Sequence, residues 1–227
     1  MYVTDNEDPS LEQLLALYPV SEPNVLRANM VMSLDGKIAI DGRSKGLSTD
    51  LDRRIFHFLR ATSQVILVGA GTARIENYQP PQLDPDLAKL RHRLGLVRPL
   101  RIVVASRHSR PPNTPNHLSG AASGGGSSSA IEYRNLPATP RRGELEQLLA
   151  IDNQHPGGIL CEGGPTLLSD LLEQSLVDEF CLTIRHLIAG NASQPVVTDT
   201  LTAPVDFKSV ASLSTREATF LRLSRSS

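Results

Sequence analysis

Two short segments of this chain combine residue types that bind phosphate. In VILVGAGTAR an apolar, strand-like run ends in Gly69-Ala70-Gly71-Thr72, and a helix-like stretch follows. In GILCEGGPTLL the same design recurs: an apolar run ends in Glu162-Gly163-Gly164, and Pro165-Thr166 opens the next helix. Glycine permits a sharp turn and lets a phosphate approach with no Cβ in the way. The free N–H groups and the positive end of the following helix then bind the anion. The Thr72 and Thr166 hydroxyls add donors. Pro165 is tolerated at a first helical position because that N–H has no partner within the helix. Neither segment is a GxGxxG fingerprint, since Arg74 stands where a third glycine would fall, and neither is followed by the Gly-Lys-Ser/Thr of a P-loop. A tight strand–helix turn needs glycine for geometry alone, so either segment by itself also reads as an ordinary turn. Two of them in one small domain favour a dinucleotide over a mononucleotide.

Three carboxylates sit near these turns. Glu162 stands at the C-terminal end of an apolar strand beside glycine, where α/β folds place ligands. There it is expected to face a bound ligand. Asp35, in Ser33-Leu34-Asp35-Gly36, and Glu76, after the first glycine turn, are candidate proton relays, and the choice between them stays open. The Asp-Gly pair also reads as the apex of a turn. Arg60 shares a helical face with Arg53 and His57, a pattern that alone describes a solvated face.

The elements that must position these groups follow from periodicity. VLRANMVMS, QVILVG, RIVVAS, AIEYR, GGILCE, VDEFCLTIRHLI and ATFLRLS read as strands. LDRRIFHFLRAT, with Asp50 as its N-cap, DPDLAKLRHRL, GELEQLLAI and GPTLLSDLLEQS read as helices. Residues 1–23 form an extension before the fold proper, where Leu11, Leu14, Leu15 and Tyr18 at helical spacing read as a short helix packed on the body or on a partner subunit, ended by Pro19 and Pro23. The Pro-rich and then Gly/Ser-rich stretch 109–130 reads as a mobile surface loop inside one domain, 24–227. Alternating βα units followed by a strand pair predict a mixed, mostly parallel sheet with helices on both faces.

Bulk composition narrows the partners. A net charge of −1 and 4% aromatic residues with no Trp give no field or stacking platform for nucleic acid or an anionic membrane. No apolar run approaches a membrane span, and the acidic N-terminus lacks a signal-type segment, so a cytoplasmic protein is expected. The two cysteines, Cys161 and Cys181, fall in apolar runs and read as buried, reduced thiols.

NMVMSLDGKIA, LRATSQVILVGAGTAR and EGGPTLLSDLLEQSLVDEF, in this order and spacing, resemble the reductase domain of riboflavin-biosynthesis deaminase–reductases, within the dihydrofolate-reductase-like superfamily. The resemblance runs from about Asn24 to Ile188, and the deaminase half with its zinc motifs is not part of it. It implies a three-layer α/β/α sandwich and a homodimer. It also implies direct hydride transfer from NADPH to an electrophilic C=N carbon of a 5-amino-6-(phosphoribosylamino)uracil-type substrate, without metal or covalent enzyme intermediate. A dihydrofolate-like substrate is the alternative, and a dinucleotide-binding redox sensor the alternative outside enzymes. On the cofactor side the resemblance implicates Val31, Gly46 (where the family has an aromatic residue), Gly69, Gly71, Thr72, Glu76, Ser106, Gly163, Gly164, Pro165 and Thr166. On the substrate side it implicates Ser44, Arg60 and Glu162, with Glu162 expected to accept a pair of N–H bonds from an amidine-like edge of the heterocycle. The basic cluster Arg107, His108 and Arg110 is placed for the 2′-phosphate of NADPH. The sequence departs from the family at Glu76-Asn77-Tyr78, where an acidic-acidic-proline run is usual, and at Leu83, where an arginine grips the ribosyl phosphate.

Overall fold

The computed structural model of the chain describes residues 2–3, 9–107, 130–137, 139–191 and 194–226. Nine strands form one sheet: β1 (Tyr2–Val3), β2 (Leu26–Ser33), β3 (Val65–Gly69), β4 (Arg101–Ser106), β5 (Ala130–Asn135), β6 (Ile159–Cys161), β7 (Glu179–Arg185), β8 (Phe207–Ser214) and β9 (Ala218–Arg225). Their order is β1-β8-β9-β7-β2-β6-β3-β4-β5, and all neighbours are parallel except β7/β9 and β8/β9. Six α-helices accompany it among the described residues: α1 (Leu11–Leu17), α2 (Asp50–Ala61), α3 (Ala70–Ile75), α4 (Pro85–Arg93), α5 (Arg142–Leu149) and α6 (Pro165–Glu173).

The central strands are apolar on both faces because helices cover both, as the sequence reading expected. Ile66 and Val68 of β3 face one core with Leu14, Leu51, Ile55, Phe58, Leu87 and Leu90, from α1, α2 and α4. Val65 and Leu67 face the other, with Leu145, Leu149, Leu168 and Leu171 from α5 and α6. Period-two alternation within a single strand thus supplies both layers. Each such side chain, fully buried, contributes roughly 1.5–3 kcal/mol of transfer free energy. Cys161 and Cys181 are free thiols within these cores, and burial pushes both up to about 12.

Several expectations shift in detail. Within the extension 1–23, the helix expected from Leu11, Leu14, Leu15 and Tyr18 is α1, packed on the body: Leu14 is fully buried and Tyr18 is 3% exposed, while β1, which was not expected, pairs with β8. The N-cap of α2 is Thr49 rather than Asp50, with the Thr49 hydroxyl accepting from Asp52 N at 3.1 Å. Strand β8 was not read from FKSVASLS. Much of it is exposed, and serines and a lysine interrupt its apolar alternation, so its signal is weak. Of the loop expected at 109–130, Ala130 opens β5 and the remainder lies outside the described residues.

Candidate active site

Helix α2 carries the largest share of the site. Leu51, Ile55, Phe58 and Leu59 form its buried stripe. Its far end is tied down by Arg91 of α4, whose Nη1 donates to the carbonyls of Ala61 at 3.1 Å and Ser63 at 2.5 Å, satisfying oxygens beyond the last helical turn. With one face so fixed, Asp52, Arg53, Phe56, His57 and Arg60 line a cavity of about 810 Å³. The reading of Arg53, His57 and Arg60 as a solvated face is therefore replaced: they form a cavity wall. The opposite walls are Asn29, Met30 and Val31 of β2, Ser44, Lys45 and Ser48 of the following segment, and Thr72, Glu76 and Tyr78 at and after α3. Glu162 and Gly164 close the end next to the glycine turns.

The two glycine turns touch each other. Gly69 N donates to Gly163 O at 2.7 Å, which places the start of α3 beside the start of α6. Gly163 has φ +73°, a conformation that favours glycine. At Gly164 a Cβ would overlap the Thr72 hydroxyl, so the glycine leaves room for that hydroxyl in its present position. No side chain caps α6, and the Thr166 side chain is exposed. Helix N–H groups with no side-chain cap, beside a glycine backbone and the Thr72 hydroxyl, suit an anionic group such as a dinucleotide phosphate.

Below this junction lies a tightly paired set. Arg60 Nε and Nη2 donate to Glu162 Oε1 and Oε2, each at 2.7 Å, and Tyr78 Oη donates to Glu162 Oε2 at 2.5 Å. The guanidinium lies 4.1 Å from the centre of the Phe56 ring and 5.3 Å from that of Tyr78. Burial opposes the Arg60 charge, but Glu162 more than compensates and raises its pKa. Tyr78 is pushed well above its ordinary value by burial and by Glu162, so it is a neutral donor. Burial and the nearby Arg60 cation hold His57 below its usual value. The expected two-point edge of Glu162 is thus occupied by the protein's own guanidinium. Glu162 orients Arg60 instead of offering an open acceptor pair.

Seven of the residues singled out in the sequence converge on the cavity: Val31, Ser44, Arg60, Thr72, Glu76, Glu162 and Gly164. Glu76 Oε1 accepts from Ser44 N at 2.8 Å, which ties the 44–48 segment to the end of α3. Asp35 does not line the cavity. Its carboxylate accepts from Ser33 Oγ at 2.6 Å, Ala189 N at 2.9 Å and Gly190 N at 2.8 Å, and these bonds lower its pKa to about 2. A carboxylate held ionised in that way braces a turn and is not a proton relay.

Gly46 is also outside the lining. A Cβ there would fall 2.8 Å from Ile40 Cβ, so this backbone has no room for the family's aromatic side chain. Gly69, Gly71, Gly163, Pro165 and Thr166 belong to the turns and helix starts rather than to the cavity wall. Ser106 lies farther along the sheet edge, at the end of β4, and its carbonyl accepts from Leu136 N at 2.9 Å. Arg107 is ion-paired with Asp170 of α6, while His108 and Arg110 lie outside the described residues. Leu83 packs against the α2/α4 core instead of reaching the cavity.

Several cavity residues escaped the sequence reading, Lys45, Ser48 and Phe56 among them, and two matter most. Tyr78 was noted only as a departure from a family pattern, and Asp52 only as part of a helix opening. The spacing of Asp52, Phe56 and Arg60 by fours was the available signal, since it places all three on one face.

A mostly parallel mixed sheet with helices on both faces, and two glycine turns meeting at its edge, is a dihydrofolate-reductase-like α/β fold. The chain belongs to the RibD C-terminal domain family, whose family model matches residues 24–220. It is 32% identical over 185 residues to the 2,5-diamino-6-ribosylamino-4(3H)-pyrimidinone 5′-phosphate reductase of Archaeoglobus fulgidus, covering 75% of this chain and 84% of that one. Among solved structures, a pyrimidine reductase-like protein from Corynebacterium diphtheriae superposes with a TM-score of 0.70 at 21% identity, over 94% of this chain and 98% of the other. Dihydrofolate reductase from Enterococcus faecalis, in complex with NADP(H), superposes with a TM-score of 0.54 at 14% identity, over 92% and 99% of the two chains.

Proposed function

We propose that the chain reduces a 6-ribosylamino-pyrimidine 5′-phosphate with NADPH, a step of riboflavin biosynthesis. One observation carries this reading: the side-chain cavity ends at Gly164, against the junction of the two glycine turns. A heterocycle in the cavity therefore meets whatever group the turns hold. The residues present fit a dinucleotide there, with the first N–H groups of α6 and the Thr72 and Thr166 hydroxyls as phosphate donors. When bound, NADPH supplies a hydride to an electrophilic C=N carbon of the substrate.

The protein's own part is to position the substrate, exclude water and supply a proton. Arg60, fixed by Glu162 and two rings, presents a cation of constant orientation to the ligand. Lys45 and Arg53 line the same cavity and add charge for a ribosyl phosphate, in place of the arginine that Leu83 lacks. Hydride addition to C=N leaves the nitrogen one proton short. Glu76, which lines the cavity where Asp35 does not, is the relay this geometry favours.

The test is to titrate the pure protein with NADPH and then follow the loss of reduced-nicotinamide absorbance with candidate substrates. Turnover of a ribosylamino-pyrimidine phosphate with NADPH supports the reading. Turnover of dihydrofolate alone moves the substrate class, and NADPH binding with no turnover favours a sensor.

A further inference from the structure

Resting on that reductase reading, we infer that Asp52 reads the C2 edge of the pyrimidine and selects a 2-amino-pyrimidinone over the corresponding uracil. Asp52 lies in the first turn of α2, is 8% exposed, and lines the cavity. Ser48 Oγ donates to its Oδ2 at 2.5 Å. The hydroxyl of Thr183, on β7, is its second protein partner. Its charged and titratable neighbours are few. Arg53 follows on its own helix, the buried Tyr18 faces it from beyond α1, and no cation of the described residues stands within ion-pair distance. Burial pushes its carboxyl above the usual carboxylate range, against the opposing pull of Ser48, Thr183 and Arg53.

A buried carboxylate at the wall of a ligand cavity, satisfied by hydroxyls but not by a cation, has acceptor capacity left for donors from a ligand. Glu162, the other buried carboxylate of the cavity, already spends its two-oxygen edge on Arg60. The two substrates at issue differ in the group on C2 and in the N1 proton that goes with it. The 2,5-diamino-4(3H)-pyrimidinone named for the A. fulgidus relative presents N3–H and a C2 amino group side by side, two parallel donors that match the two oxygens of a carboxylate. The uracil presents N3–H beside a C2 carbonyl, which would set oxygen against the oxygen of a carboxylate that is itself buried. A site built for two donors rejects a ligand that replaces one by an acceptor, because a buried polar group is then left unpaired.

Asparagine provides a sharp test because it reverses one half of the edge. Its carbonyl still accepts from N3–H, while its NH2 donates to a C2 carbonyl. The experiment measures kcat/KM with NADPH for 2,5-diamino-6-ribosylamino-4(3H)-pyrimidinone 5′-phosphate and for 5-amino-6-(5-phosphoribosylamino)uracil, in the wild type and in Asp52→Asn. NADPH affinity and circular dichroism confirm that the variant is folded. The expected wild-type preference for the 2-amino substrate is on the order of a hundredfold or more. In Asp52→Asn that ratio collapses to near unity or inverts, with NADPH affinity unchanged. Equal turnover of both substrates by the wild type overturns the inference. So does a variant that slows both substrates alike and keeps their ratio, which would make Asp52 a support for Ser48 and Thr183. Absence of turnover of either substrate by a wild type that binds NADPH refutes the reductase reading itself, a result distinct from a failure of selectivity.

Discussion

The junction of the two glycine turns and the cavity beneath it do their work with different parts of the chain. The junction is made of backbone. One hydrogen bond from Gly69 N to Gly163 O joins the two helix starts, Gly163 takes a positive φ, and Gly164 leaves room for the Thr72 hydroxyl of the other turn. The cavity is made of side chains from separate elements: Asp52 and Arg60 from α2, Tyr78 from the segment after α3, and Glu162 from the end of β6. A backbone site tolerates no added atoms but is indifferent to side-chain chemistry elsewhere. A side-chain site can be retuned one residue at a time, provided its buried charges stay paired. The cofactor half is therefore rigid in sequence, and the substrate half is where a relative can change what it accepts.

The largest expected effect breaks the backbone half. In Gly164→Val the new Cβ overlaps the Thr72 hydroxyl, which must rotate away, and the branched side chain stands in the path by which a phosphate would reach the α6 N–H groups. Losing two charge-assisted phosphate contacts at roughly 1.5–3 kcal/mol each lowers NADPH affinity by more than about a hundredfold. Overpacking adds roughly 1–3 kcal/mol of instability. Fluorescence titration and thermal melting read the two effects. Gly143→Ala, in α5 and outside both turns, is the matched control: a Cβ there meets nothing within 4 Å, and affinity should stay within about twofold, as for an ordinary surface change. Loss of binding in both variants alike would mean that the steric account of the junction is wrong.

The side-chain half breaks next, at Glu162→Gln. One oxygen of the fork becomes an NH2 aimed at the Arg60 N–H groups, leaving a buried guanidinium half-compensated. Stability should fall by roughly 2–4 kcal/mol. The rate constant kcat/KM should fall about 30- to 150-fold, equivalent to roughly 2–3 kcal/mol, with NADPH affinity changed far less. The double variant Arg60→Met/Glu162→Met should recover much of the stability, since replacing both members of a buried pair is often near neutral. It should recover none of the activity. Recovery of both would show that the pair is scaffolding with no part in binding substrate.

This contrast explains what could be read from the sequence. Periodicity placed β2, β3, β4, β6, α2, α4 and α6, because strands buried on both faces and helices with an apolar stripe announce themselves locally. The glycine turns were legible for the same reason, as each is a contiguous string. The cavity was less so. Glu162 was recognised from its strand-end position, but its partner Arg60 is 102 residues away in sequence and Tyr78 is 84. Periodicity carries no information about which helix face will meet which strand end. Asp35 misled for the opposite reason: an Asp-Gly turn is locally distinctive, and only the fold shows its carboxylate spent on Ala189 and Gly190.

A smaller effect tests where the two halves meet the cofactor's far end. Arg107 follows β4 and is paired with Asp170 of α6, so it is held over the helix whose start forms the junction. If it also meets the 2′-phosphate, NADPH should be preferred to NADH, and Arg107→Ala should shrink that preference about tenfold, the equivalent of one weak charge-assisted contact. Parallel titrations of both cofactors give the ratio. An unchanged ratio assigns Arg107 to fastening α6 alone.

The smallest expected effect concerns stability and pH at Asp52. Its folded-state pKa is raised above the unfolded value, chiefly by burial, so the folded protein holds that proton more tightly than the unfolded chain. The sign follows: stability from this group is highest where Asp52 is protonated in both states, near pH 4 and below. It falls as pH rises through the interval between the unfolded and folded values, and it is lowest, and flat, above that. At neutral pH the carboxylate therefore costs stability that asparagine does not, because the amide is uncharged and the Ser48 and Thr183 hydroxyls can turn to serve its oxygen and its NH2. Asp52→Asn should melt higher than the wild type at pH 7, by roughly 2–4 °C for each kcal/mol relieved, with the difference shrinking towards pH 4. Loss of function accompanied by a gain of stability is the pattern of a residue retained for its ligand. A variant that melts lower at pH 7 would instead make Asp52 a structural cap of the 48–52 turn, and the pH series separates the two because a cap's contribution would grow, not shrink, as the carboxylate ionises.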